Sequence, residues 1–110
     1  IQIPDNLATS VSSCQLTGFA LAASQWGIDC QQLCRGYSWS WLENNVVAGV
    51  KLIPLGQTHG QQIMLELAAD IPAAVEQAGL VKDADIHSST PAMAIASSRH
   101  ETQYTRLFRS

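Results

Sequence analysis

A chain of 110 residues is long enough for one domain that buries roughly two thirds of its unfolded surface. It is 46% hydrophobic and only 14% charged, where about a quarter is usual, so either the chain is mostly core or part of its surface is covered by another protein; the second gains weight because a small domain has too much surface to leave apolar. A net charge of −3 speaks against a general affinity for nucleic acid, and no apolar run reaches the roughly eighteen residues of a membrane span.

In chain order, Pro4 and the polar cluster from Thr9 to Ser13 make the first ten residues an irregular lead-in. Leu16, Phe19, Ala20, Ala23 and Trp26 then recur at helical spacing, predicting a helix over about 12–26 that Gly27 ends. Asp29, with Gln32 three positions on, has the form of a capping box. The helix it opens runs to about Ile53, where Pro54 stops it, a length of roughly 35 Å. It carries two apolar stripes, Cys30-Leu33-Cys34-Tyr37-Trp41 and Trp39-Leu42-Val46-Val50-Ile53. A helix apolar on most sides is expected at the centre of a bundle, buried by its neighbours. The alternation from Tyr37 to Trp41 also allows a short strand, though nothing nearby offers a pairing partner.

After the Pro54-Leu55-Gly56 turn, Thr58 and Gln61 form a second capping box, and Ile63, Met64, Leu67 and Ala68 face the core. Pro72 suits the first turn of a shorter helix that Gly79 closes. Residues 82–89 read as a polar loop. Thr90 and Pro91 start a last helix that reaches about His100, and the tail of 101–110 follows without a period. The fold class is all-α, a single helical bundle over 1–110 with a buried central helix.

No catalytic constellation emerges. His100 and Glu101 begin like a HExxH zinc motif, but Tyr104 stands where the second histidine belongs. The segment Gly56–Gln62 has two glycines but no Gly-Lys-Ser/Thr, so turn geometry explains it better than phosphate binding. Cys30 and Cys34, one helical turn apart, could share a metal with a nearby histidine, but cysteines on an apolar stripe are more often core residues. His59, His87 and His100 read as surface or capping histidines. Three cysteines without a CxxC pair fit a reduced, intracellular chain. The absence of an initiator methionine at Ile1 points to a fragment or a processed chain. Arg35 is the one basic residue among the first fifty, whereas Arg99, Arg106 and Arg109 crowd the end.

Two blocks carry a specific resemblance. The first is Trp39-Ser40-Trp41-Leu42-Glu43-Asn44-Asn45, continued by Lys51-Leu52-Ile53-Pro54-Leu55-Gly56-Gln57 and by Gly60-Gln61. The second is the closing run from His100 through Tyr104-Thr105-Arg106-Leu107-Phe108 to Ser110. In order and separation they resemble UreF, the urease accessory protein family, from about Thr9 to the end. The family's chain is about twice this long, so the resemblance places this sequence in its C-terminal half.

The resemblance implies an all-helical, cytoplasmic, dimeric, non-enzymatic maturation factor. Such proteins bridge UreD and the GTPase UreG, and through them the urease apoprotein, while nickel passes to the urease active site. No cofactor is held permanently, with nickel only in transit. Arg35, beside Gly36 and Tyr37, matches an arginine of a partner-responsive segment, and Arg106 matches one in a tail that orders when UreD binds. The family's loop near Gly36 favours a break in the helix there, in keeping with the roughly 1 kcal/mol that glycine costs in a helix interior. Tyr104, Leu107 and Phe108 would supply apolar contact beside the arginine's charge. Lys51, Pro54, Gly56, Gln57, Gly60 and Gln61 are expected to support the turn. Alternative roles are regulation of the GTPase, with Arg35 as an arginine finger worth about a thousandfold or more in rate, or an unrelated helical protein-interaction module.

Overall fold

The computed structural model describes residues 2–87, 90–99 and 102 of the chain. Among these the structure is all-α. Six helices follow in order, α1 (Ala8–Ser13), α2 (Gln15–Gln25), α3 (Cys30–Leu52), α4 (Gln57–Ala68), α5 (Ile71–Leu80) and α6 (Pro91–Ser98), with single 3-10 turns at Asp5–Leu7 and Asp83–Asp85. The strand alternative at Tyr37–Trp41 is not taken, since those residues lie inside α3.

The lead-in is more ordered than its composition suggests. Residues 5–13 form a 3-10 turn and then α1. The serines that argued for irregularity instead end the helix: the hydroxyls of Ser12 and Ser13 donate to the Thr9 carbonyl at 2.8 and 2.9 Å. Such local bonds compete with the backbone ladder. Cys14 then turns extended (φ −138°, ψ 114°) and separates α1 from α2.

The corner between α2 and α3 is built from end signals. Gly27 takes φ +69°, its N–H donates to Ser24 at 3.3 Å, and the Ile28 N–H reaches back to Ala23 at 2.9 Å. This is a Schellman closure, which glycine adopts without a Cβ penalty. One residue later the Asp29 carboxylate accepts from the Gln32 N–H at 2.8 Å and caps α3.

α3 then continues through Gly36 to Leu52 without the expected break. The cost of one glycine is offset by the cap upstream and by tertiary contact immediately after it. Tyr37 meets Phe19 of α2 edge to face, with ring centroids 5.6 Å apart. Pro54 stops the helix where expected.

Two further expectations are corrected. Gly56, with φ +70°, is the N-cap of α4, so the helix begins at Gln57 and Thr58 lies inside it, not at its cap. Only glycine takes that conformation cheaply, and this outweighs the weaker capping preference of a threonine two residues on. Gly79 does not close α5, which runs on to Leu80. Pro72 does occupy the first turn of α5, and Pro91 that of α6 after Thr90 at the N-cap.

α3 is the spine of the molecule, packed by α2, α4 and α5. It is central but not buried: Leu42 is its one buried residue, and Ala23 of α2 is the other buried hydrophobic among the described residues. Trp39 and Trp41 stay 42% and 56% exposed. The chain exposes 9395 Å², where a monomer of 11.9 kDa would expose about 5,900 Å². Its radius of gyration is 16.7 Å against about 13 Å for a compact domain of this length. The stripes of α3 thus lie half-covered, for want of a second layer of helices within the described residues.

Candidate functional site

A long concavity follows α3. A trough of about 600 Å³ runs between α2, α3 and α5, lined by Leu16 and Phe19, by Cys34 and Tyr37, and by Val75 and Ala78. Past Tyr37 and Ser38 it meets a second hollow of about 490 Å³, bounded by Trp41, Leu42, Leu67 and Ile71. Small side chains on α5, chiefly Ala74 and Ala78 one turn apart, keep that wall low. The lining is nearly all carbon, with Glu76 the charged residue of the trough. Such a surface suits an apolar side chain or helix face more than a polar substrate.

Arg35, Gly36 and Tyr37 are consecutive on α3 but do not share one face. Tyr37 lines the trough, whereas Arg35 is exposed and does not. At about 100° per residue, Arg35 lies well round the helix from the Cys34–Tyr37 face. Gly36 has open space where a Cβ would stand. Tyr104, Arg106, Leu107 and Phe108 lie outside the described residues, as does His100.

The motif residues gather at the α3–α4 turn. Lys51, Gln57, Gly60 and Gln61 line a shallow groove of about 320 Å³, joined by Glu43 and Met64. Gly60 is buried, and a Cβ added there would stand 2.6 Å from Val50 Cγ2 and 3.5 Å from Val46 Cγ1. There α4 lies close against α3, with no room for a side chain. His59 Nδ1 stands 3.0 Å from the Leu55 carbonyl oxygen, and because a carbonyl can only accept, the ring nitrogen is the donor. His87 makes the equivalent bond to the Asp85 carbonyl at 2.7 Å.

The three cysteines are free and exposed. Cys14 precedes α2, and its thiol is held below the ordinary value chiefly by the Thr17 N–H, then by the Thr17 hydroxyl and the Leu16 N–H. Cys34 is pushed up, first because the trough walls withdraw water from part of it and then by the neighbouring Cys30 sulfur. Among the described residues no three His, Cys, Asp or Glu side chains stand together as a metal site. No helix among them is long and apolar enough to cross a membrane.

The sequence pointed to Arg35 and the C-terminal tail as working parts, with α3 as the centre of the fold, and not to the trough. Its far wall comes from α5, forty residues away from Cys34, and only the fold places it. The one available signal was the repeat of small residues at Ala74, Ala78 and Gly79 in a helix with few large side chains.

The sequence model of the UreF family matches residues 4–68. The urease accessory protein UreF of Alcanivorax borkumensis is 54% identical over 101 residues, which cover 92% of this chain and 44% of that protein. Its counterpart in Pseudomonas putida strain F1 is 50% identical over 101 residues (92% and 45%), and that of Azoarcus sp. strain BH72 54% identical over 89 residues (81% and 38%). The chain therefore spans somewhat under half the length of these curated relatives. No solved structure matches it.

Proposed function

Because this chain belongs to the UreF family, we propose that it serves urease maturation as a non-enzymatic docking scaffold, bridging UreD and the GTPase UreG. Nickel is the cargo of that assembly, delivered to the urease apoprotein with no permanent site in this chain. The observation that carries the reading is the family match, together with relatives named as urease accessory proteins over nine tenths of the chain. The exposed area, well above that of a monomer of this mass, supports docking as the mode of action.

Within this proposal the surfaces divide the labour. The apolar faces of α2, α3 and α5 take up protein partners or a second copy of the chain in a homodimer. Arg35 offers a rigid fork of donors for a carboxylate or a carbonyl. Tyr104, Arg106, Leu107 and Phe108 combine charge for steering with apolar side chains to bury against UreD. The cell compartment that fits is the cytoplasm.

The test uses the full-length protein with Arg106→Ala, or with the last ten residues removed, mixed with UreD on size exclusion. Loss of the complex with unchanged helical circular dichroism is expected. Co-elution as strong as that of the unaltered protein overturns the tail assignment. Failure of the unaltered protein to bind UreD overturns the scaffold reading itself.

A further inference from the structure

We propose that Cys30 and Cys34 form a two-coordinate site for a soft monovalent metal ion, Cu(I) or its surrogate Ag(I), in the wall of the α2–α3–α5 trough. The two thiols are four residues apart on one uninterrupted helix, whose first turn is pinned by the Asp29 cap. That spacing sets their Cβ atoms about 5–6 Å apart on one face. Both side chains line the same trough, and both are free and open to solvent.

The same spacing argues against the competing fates of the pair. A disulfide needs Cβ atoms within about 3.5–4.5 Å, so oxidation would have to unwind the first turn of α3. Zinc in a structural site takes four ligands in a tetrahedron, and other divalent ions take four or more. No third His, Cys, Asp or Glu among the described residues stands close enough to join the pair. Two thiolates alone suit a monovalent d10 ion, which is soft and accepts near-linear coordination by two sulfurs. The surrounding Leu33, Phe19 and Tyr37 offer that ion a carbon-lined setting.

Binding is an exchange of protons for metal. Each thiol loses its proton to solvent, two S–H bonds break and two metal–sulfur bonds form. Neither sulfur nor metal changes oxidation state.

The experiment titrates the reduced full chain, without oxygen, with Cu(I) buffered by a chromophoric chelator. Maleimide labelling and mass spectrometry then read each cysteine. One Cu(I) per chain is expected, with a thiolate-to-copper absorption band. Cys30 and Cys34 should be protected together while Cys14 stays reactive. Losing an outer partner of a metal ligand costs about 10–100-fold in affinity, so Cys30→Ser and Cys34→Ser should each lose at least that, and Cys14→Ser nothing. The labelling pattern needs no variant and therefore holds even if a serine variant folds poorly. Equal protection of Cys14, one copper per two chains, or full affinity in either serine variant overturns the site. Protection of the pair by Ni(II) or Zn(II) at the same concentration overturns its two-coordinate character.

Discussion

Replacing Gly60 by alanine tests how tightly α3 and α4 cross. In an open helix the change would stabilise by about 1 kcal/mol, because alanine orders at a lower entropic cost. Here the new Cβ would meet Val46 Cγ1 at 3.5 Å, an ordinary contact, but would lie 2.6 Å from Val50 Cγ2, well inside the roughly 3.5–4.0 Å of a comfortable carbon contact. Val50 cannot swing aside, since a β-branched side chain in a helix has one strongly preferred rotamer. The helices must therefore part. Overpacking of this kind costs about 1–3 kcal/mol, and the clash is deep enough to put it in the upper half of that range. The net expectation is a loss of about 1–2 kcal/mol, several degrees in Tm for a domain of this size.

Gly36→Ala is the matched control, with the same atoms added on α3 where nothing stands within 4 Å. It should gain up to about 1 kcal/mol, so the two variants differ by about 2–3 kcal/mol in opposite directions. Urea unfolding followed by circular dichroism on the full chain measures both, with an unchanged slope confirming that the native state is comparable. Adding Val50→Ala should relieve Gly60→Ala, giving a coupling of about 1–2 kcal/mol in the double-mutant cycle. If Gly60→Ala is as stable as Gly36→Ala, or if Val50→Ala costs the same in both backgrounds, the close crossing is refuted.

Asp29→Ala removes the carboxylate that accepts from the Gln32 N–H and should cost about 1 kcal/mol, with Asp29→Asn losing far less; equal losses would mean that charge, not capping, matters there. Cys14 has its thiol pKa lowered and Cys34 raised, so more of Cys14 is thiolate at any pH below the ordinary thiol range. Iodoacetamide near neutral pH should label Cys14 first, with the gap narrowing as pH rises through both values; a Cys34 that reacts first would contradict the local hydrogen bonding. Arg35→Ala in the assembled complex should leave GTP hydrolysis by UreG within a few fold if the arginine docks, whereas a loss of about a thousandfold would make it a finger.

What the sequence made legible were the positions where one residue's stereochemistry decides. Gly27, Asp29, Pro54, Pro72 and Pro91 each mark a helix end as expected, because a positive φ, a side-chain acceptor or a missing N–H acts within one turn. The errors arose where two weak local preferences competed. Gly36 is a poor helix residue, but its small cost is outweighed by the cap before it and the Phe19–Tyr37 contact after it. At the start of α4, Gly56 in the left-handed region outcompetes Thr58. The serines near residue 12 read as irregular because they bond locally, and in fact they end a helix rather than prevent one. The trough could not be read from α3 alone, since half its lining arrives from α5. Exposure of the α3 stripes defeated the expectation of a buried helix for a related reason: periodicity shows that a face is apolar, not what covers it.

The α2–α3 corner has a consequence for whatever enters the trough. Its angle is held by backbone bonds at Ala23 and Ser24 and by the carboxylate of Asp29, within a few residues of chain. The groove is thus framed like a bracket whose bend is set in the metal, while its faces are left bare. A ligand helix meeting such a bracket finds two walls already at their working angle, so less conformational freedom is lost on contact than if the walls had first to be brought together. Loosening that corner, by giving residue 27 a side chain, would weaken association through the shape of the free chain while leaving every contacting side chain in place.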